Sequence, residues 1–174
     1  RIEIEGTRHS EVEVINKNGA LKIRMPFGKL LQGENITATL YYDKIHILNA
    51  GEGSVITSSE VIKQTALEII SKQGSQVRIK MEVSKAELAA STGGEIYVSG
   101  EAKNIDASIN TGGIIEAQKL IASQANVTVK AGGEASIYAL DYIKADVTAG
   151  GEILIYGSPK NQKKKTIILK KTIN

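Results

Sequence analysis

Apolar and polar residues alternate with a period of two along most of the chain, and glycines interrupt this alternation at regular intervals. A period of two is typical of a β-strand with one buried face. Single or paired glycines begin at Gly74, Gly93, Gly112, Gly132 and Gly150, so the successive intervals are 19, 19, 20 and 18 residues. The pattern therefore predicts a repeat of about 19 residues, built from short strands and glycine turns.

The alternation also predicts which side chains are buried. The twelve residues that lie three, five or seven positions before a glycine pair are all aliphatic: Ala86, Leu88, Ala90, Ile105, Ala107, Ile109, Ala125, Val127, Val129, Ile143, Ala145 and Val147. So are the second and fourth residues after each pair: Ile96, Val98, Ile115, Ala117, Ala135, Ile137, Ile153 and Ile155. Because a unit of this length cannot bury its apolar face alone, successive units must stack and share one core.

These observations predict an all-β fold: a single-stranded, right-handed parallel β-helix of about 19 residues per coil. The glycine pairs would form the corners of the coils, where a positive φ or a close backbone contact excludes a Cβ atom. In this register Val127 lies inside, with Ala107 and Ala145 above and below it.

The two ends of the chain depart from the repeat. Asn18-Gly19 lies between two alternating segments and predicts an antiparallel hairpin near the N-terminus. We predict a loop over residues 26–35 and one strand over 36–48 that joins the stack, and we favour a further coil over a short helix for 57–72. At the C-terminus, a lysine-rich loop is expected before a final strand at Thr166–Ile173.

We therefore predict one domain over residues 1–174. It comprises opening strands and the hairpin at 1–48, the coils at 49–157, and a lysine-rich closing segment at 158–174. Both ends are suited to cap the stack, because solenoid ends need atypical polar units.

The charge distribution argues against nucleic-acid binding. The chain has 174 residues and a formal net charge of +3, but residues 158–174 contain six lysines and no acid. The tail also lacks the aromatic side chains on which bases usually stack. We therefore interpret its lysines as charges that deter pairing at an exposed strand edge. No apolar run approaches the length of a transmembrane helix, and no cysteine is present.

The ordered combination of glycine pairs and strands from Ser91 to Lys164, closing on the sequence Tyr156-Gly157-Ser158-Pro159-Lys160, resembles the putative auto-transporter adhesin, head GIN domain family. The segments at 19–25 and 36–55 are similar to the opening part of that family. The resemblance implies a β-helical fold and an exported protein of the bacterial envelope, as in Bacteroides-like organisms, often preceded by a signal or lipoprotein segment. It also implies a further strand before Arg1, and it supplies no catalytic residues.

Five outward-facing residues are the candidates for a binding surface. Tyr97 could present its ring to a sugar or a protein, and so could Tyr138 and Tyr156, which lie one outward-facing position further from their glycine pairs. Glu134 and Glu152 are expected on adjacent coils about 5 Å apart. This pair could hold a cation, but we interpret it as two solvated carboxylates, and we predict no metal and no cofactor.

The sequence offers little material for catalysis. Asp106 and Asp146 fall at different positions of the repeat and two coils apart, which puts them near 10 Å from each other, too far for most glycosidases. His9 and His46 have no acid at the spacing of a catalytic triad or a metal site. No arginine occurs in the coils with glycine pairs. We therefore assign no catalytic residues and predict that the protein is not an enzyme.

The leading hypothesis is a non-enzymatic binding or adhesion module, periplasmic, anchored to the outer membrane or extracellular. Its expected partner is a glycan or a surface protein of the envelope. An alternative is a polymerising β-helical scaffold, since regular coils can self-associate end to end. A third and weaker alternative is a carbohydrate-active enzyme.

Overall fold

The computed structural model describes residues 1–26, 36–166, 172 and 173. It is nearly all-β, with a single 3-10 turn at His9–Glu11 in this part of the chain. The strands are β1 (Ile2–Glu5), β2 (Glu13–Lys17), β3 (Ala20–Arg24), β4 (Thr37–Leu40), β5 (Ile47–Ala50), β6 (Val55–Lys72), β7 (Gln76–Ser91), β8 (Glu95–Asn110), β9 (Ile114–Ala131), β10 (Glu134–Ala149), β11 (Glu152–Tyr156), β12 (Asn161–Thr166) and β13 (Thr172–Ile173).

Contacts along the chain define two compact units, Arg1–Asp43 and Lys44–Asn174. The assignment of residues 1–174 to one domain therefore stays a prediction. None of the described segments forms a helix of the length and apolar character needed to cross a membrane.

The second unit is a parallel β-solenoid. Strands β5 to β11 pair in parallel, each with the next along the chain, and β13 pairs with β11. Strands β6 to β10 have 16 to 18 residues each and run around one coil apiece. The predicted solenoid of about 19 residues per coil is therefore confirmed. The ambiguous stretch 57–72 lies within β6, so the coil was the correct alternative.

The core is a set of aliphatic columns that run along the solenoid axis. Val127 pairs with Ala107 on one side and Ala145 on the other, as predicted, and only 1% of its surface is exposed. All twenty aliphatic residues predicted to face inward are buried. Alanine, branched aliphatic side chains, Met81 and three serines fill the interior of the described coils, and no aromatic side chain is buried among them.

One column alternates between large and small side chains from coil to coil. In register along the axis, it contains Leu67, Ala86, Ile105, Ala125 and Ile143. Each of them is at most 1% exposed. Because strands stack about 4.8 Å apart, a large side chain reaches into the space that its small neighbour leaves free.

The two glycines of a pair are required for different physical reasons. Gly93 has φ = +72°, a left-handed conformation in which a Cβ atom would be strained. Gly94 is buried against the preceding coil, where a Cβ atom would lie 2.1 Å from the carbonyl oxygen of Ser71. The first glycine therefore makes the turn, and the second lets two coils approach each other.

The first unit contains the predicted hairpin. Strands β2 and β3 pair antiparallel around Asn18 (φ = +52°) and Gly19 (φ = +77°). The prediction of one strand over residues 36–48 is wrong, because β4 pairs antiparallel with β1 and only β5 joins the solenoid. Most of the predicted loop at 26–35 lies outside the described residues.

The closing segment also differs from its prediction. The expected lysine-rich loop is wrong, since Lys163, Lys164 and Lys165 lie on β12, which pairs in parallel with β10. Of the final strand expected at Thr166–Ile173, the central residues 167–171 lie outside the described part, and residues 172–173 form β13.

Candidate functional site

The five candidate residues lie on one outer surface of the solenoid. We call it the tyrosine face: the outward-facing residues in the first five positions after each glycine turn, on strands β7 to β11. The intervening side chains, such as Ile153 and Ile155, point into the core and are buried. Strand alternation therefore directs every candidate residue outward.

Four of the five candidates form two in-register pairs at the C-terminal end of this face. Glu134 pairs with Glu152, and Tyr138 pairs with Tyr156, across β10 and β11. Both tyrosines are half-buried. Beneath Tyr138, a Cβ atom on Gly157 would lie 3.1 Å from the ring. The ring of Tyr138 therefore packs against the turn that follows β11.

Tyr97 belongs to a different cluster on β7 and β8. Its ring lies under the guanidinium of Arg78, 3.9 Å from the ring centroid. Its hydroxyl donates a hydrogen bond of 2.9 Å to Glu95, and the amide of Gln76 donates another of 2.6 Å to the same carboxylate oxygen. Arg78 Nε donates in turn to Gln76 Oε1 at 2.7 Å. Tyr97 is thus separate from the tyrosine pair, and the guanidinium of Arg78 covers one face of its ring.

The contacts in this cluster shift the pKa values of Glu95 and Tyr97. The hydrogen bond from Gln76, followed by that from Tyr97 and the charge of Arg78, holds the pKa of Glu95 below its ordinary value, although partial burial opposes the shift. The hydrogen bond to Glu95, together with burial, raises the pKa of Tyr97. Both shifts favour the charged carboxylate and the neutral phenol over the physiological pH range.

Replacing Tyr97 by Phe should raise the pKa of Glu95, because the carboxylate loses one of its two hydrogen-bond donors. The pKa is measured by NMR titration of the glutamate side chains. A native pKa below the ordinary value contributes stability above pH ~4.5 that is lost as the pH falls through the native pKa. The variant should therefore lose less stability on acidification. Tyr138→Phe is the control and should leave Glu95 unchanged; an equal shift in both variants would contradict the assignment.

A groove runs along the glycine corners beside the two glutamates. It has a volume of ≈ 500 Å³ and is lined by Gly112, Ile114, Gly132, Gly133, Gly151, Glu134 and Glu152. It exists because four of its lining residues have no side chain. The volume lies within the usual range for a small-molecule site, and its polar side chains are the two carboxylates.

Two exposed aliphatic residues extend the tyrosine pair, and neither was predicted from the sequence. Ile121 pairs with Tyr138, so Ile121, Tyr138 and Tyr156 form one row. Leu140 follows on β10, and the exposed fractions of Ile121 and Leu140 are 47% and 44%. The register between β9 and β10 shifts at Ile137/Tyr138 and again between Ala139 and Tyr142. β-Bulges of this kind re-aim side chains. Their trace in the sequence is the change from the 20-residue interval after Gly112 to the 18-residue interval after Gly132.

The described acids do not gather into a metal site, and the two aspartates considered for catalysis lie apart. Nowhere in the described ranges do three His, Cys, Asp or Glu residues come together to hold a metal ion. Asp106 accepts a hydrogen bond from Asn126 at 2.9 Å and contacts Lys85, whereas Asp146 pairs with Lys144 at 3.2 Å. His9 belongs to the first compact unit and His46 to the second.

Residues 1–159 match the sequence family described as putative auto-transporter adhesin, head GIN domain. The chain belongs to this family. The match begins in the first compact unit and ends just after β11, so it includes every residue of the tyrosine face. A comparison with curated proteins finds no match.

Solved structures of similar proteins share the fold. A putative adhesin from Bacteroides fragilis NCTC 9343 superposes with a TM-score of 0.82 at 21% identity, covering 94% of this chain and 77% of that one. A putative adhesin from Parabacteroides merdae ATCC 43184 gives 0.71 at 18% identity, covering 94% and 79%. A protein described as a putative lipid binding protein, from Parabacteroides distasonis ATCC 8503, gives 0.67 at 18% identity with the same coverage.

Proposed function

We propose that this chain is an exported, non-enzymatic binding module of the bacterial cell envelope, and that it binds a repeating glycan along the tyrosine face. The observation that carries the proposal is the arrangement of the Glu134–Glu152 and Tyr138–Tyr156 pairs beside the glycine groove. The family description as an adhesin supports an exported binding role.

The chemistry of the two pairs suits a sugar. Tyrosine rings offer an apolar surface to the C–H face of a pyranose and a hydroxyl at their edge. Ionised carboxylates accept hydrogen bonds from sugar hydroxyls. Each tyrosine follows the glutamate of its strand by four positions, which in an extended strand is a distance of about 13 Å. This span exceeds one sugar unit, so a ligand that contacts both pairs must have several units.

A solenoid favours a polymer over a monosaccharide for a second reason. Equivalent side chains recur about every 4.8 Å along the axis, so a repeating ligand can make similar contacts on successive coils. Each contact is weak alone, but linked contacts raise the overall affinity through effective concentration. The filled aliphatic interior leaves no space for a deep pocket among the described coils.

The described side chains also support a role without catalysis. A glycosidase needs two carboxyl groups that face each other across one bond. Asp106 and Asp146 lie in different rows and each has a basic or amide partner. Glu134 and Glu152 are neighbours in one row, on the same side of any ligand in the groove.

The glycan proposal is tested by measuring binding and turnover of bacterial and plant polysaccharides. We expect binding without turnover, weaker for single sugars than for polymers, and a loss of roughly tenfold in affinity on Tyr156→Ala. Tyr138→Ala should act similarly. Tyr97→Ala should have a smaller effect, because that ring already packs under Arg78.

Tyr142→Ala is the matched control for this test. Tyr142 is half-buried like Tyr156, but it pairs with Gln124 and Asn161, outside the tyrosine face. Equal losses for Tyr142→Ala and Tyr156→Ala would refute the proposed face. Release of shorter saccharides that stops on replacing Asp106 or Asp146 would show that the protein is an enzyme.

Lipid binding is a second candidate, favoured by the exposed row of Ile121, Tyr138 and Tyr156 with Leu140 beside it. One similar structure belongs to a protein described as lipid binding. Replacing Ile121 and Leu140 by Ser should weaken co-sedimentation with phospholipid vesicles and leave glycan binding intact. Val55→Ser serves as the control, because Val55 is an even more exposed aliphatic residue, on β6.

A further inference from the structure

Strand β12 carries polar residues at two positions that are buried and aliphatic on each of the strands β6 to β10. Strand β12 pairs with residues 142–147 of β10, and among the described residues it has no partner on its other edge. The register sets Gln162 on Ile143 and Lys164 on Ala145. Ile143 and Ala145 are fully buried, whereas Gln162 and Lys164 are exposed.

Lys164 ends a column that is otherwise aliphatic throughout its length. In register from the first coil to the last, the column contains Leu48, Ile69, Leu88, Ala107, Val127, Ala145 and Lys164. Its two ends therefore differ in chemistry. Leu48, on β5, is apolar and packs against the core, and the described part of the chain offers β5 no pairing partner beyond β6.

We propose that Gln162 and Lys164 form a stop that prevents a second copy of the chain from adding to the C-terminal end of the solenoid. Adding a coil there in the same register would bring the second copy's β5 against β12. Leu48 of that copy would then cover Lys164. The ammonium group would lose its water and gain no partner, which strongly opposes the contact.

The neighbouring lysines cannot exert the same effect. Lys163 and Lys165 alternate with Lys164 and face outward, beside Lys144 and Asp146. Their ammonium groups would stay in water if another coil were added. The stop therefore depends on the inward direction of the Lys164 side chain. The overall charge of the tail contributes less.

The test replaces the inward-facing residues and, separately, their outward neighbours. We expect the double variant Gln162→Val/Lys164→Val to associate end to end, so that its sedimentation coefficient rises with protein concentration. The matched double variant Lys163→Val/Lys165→Val should sediment like the parent. Circular dichroism and thermal melting establish that each variant is folded, and the single variant Lys164→Leu replaces the double variant if the latter does not fold.

A third substitution identifies the surface that the added copy uses. Adding Leu48→Lys to the associating variant should restore the parent's sedimentation, because the charge then lies on the opposite end of the same column. The proposal is overturned if the folded inward variant sediments like the parent at high concentration, or if the outward variant associates equally. Association that persists with Leu48→Lys would overturn the contact between β5 and β12.

Discussion

Val127→Asp is expected to prevent folding of the solenoid. Val127 lies at the centre of an aliphatic column with Ala107 and Ala145 on either side, and the described coil offers its side chain no polar partner. An unpaired carboxylate in such a site costs about 5 kcal/mol or more. The whole stability of a domain is typically on the order of 5–15 kcal/mol. Loss of the β-sheet circular dichroism signal and of a cooperative melting transition would show the effect.

Lys130→Asp is the matched control for the buried charge. Lys130 lies on the same strand, three residues further along, and is exposed. An exposed substitution of this kind usually changes stability by less than about 1 kcal/mol. Similar melting temperatures for Val127→Asp and the parent would mean that the register of β9 is wrong.

Gly94→Ala is expected to have the next largest effect. The new methyl group would lie 2.1 Å from the Ser71 carbonyl oxygen and 2.6 Å from the Lys72 nitrogen, both of them backbone atoms in the preceding coil. Backbone atoms cannot turn away as a flexible side chain can, so the two coils must separate locally. We expect a loss of roughly 3 kcal/mol, at the upper end of the cost of overpacking a core.

Gly93→Ala provides the comparison at the adjacent residue. A Cβ atom there meets only one atom within 4 Å, the Gly74 nitrogen at 3.9 Å, so the cost comes from the positive φ alone. That cost is about 1–2 kcal/mol. Urea denaturation of both variants measures the difference. A larger loss for Gly93→Ala than for Gly94→Ala would refute the distinction between turn and close contact.

The sequence was sufficient to predict the solenoid and the register of the segments that flank the glycine pairs. Alternation assigned each side chain to the inner or outer surface, and the glycine pairs aligned one coil with the next. Together they placed Val127 between Ala107 and Ala145, which the strand pairing confirms. A repeat makes this possible because residues one period apart are also neighbours in space.

The strand partners outside the repeat could not be predicted in the same way. Alternation over residues 36–48 shows that the backbone is extended, but it looks the same for a parallel and an antiparallel partner. The structure divides this stretch between β4, which pairs with β1, and β5, which joins the solenoid. No fixed interval in the sequence specifies either partner.

The site was predicted in part. Outward positions could be recognised, so Glu134, Glu152, Tyr138 and Tyr156 were found from the sequence. The cluster around Tyr97 was missed, although Gln76 and Glu95, like Arg78 and Tyr97, are one 19-residue interval apart and therefore pair. The same spacing relates Ala145 to Lys164. The exposure of Ile121 and Leu140 depends on the bulges in β9 and β10, whose positions the interval of 20 residues does not specify.

The alternation of large and small residues in the Leu67 to Ile143 column constrains how the length of such a protein can change during evolution. Deleting one coil, such as the one containing Ile105, would place Ala86 on Ala125 and open a void between them. Deleting two neighbouring coils would restore a large residue next to a small one. Relatives with this column should therefore gain or lose coils in pairs, each pair changing the length of the tyrosine face by about 10 Å.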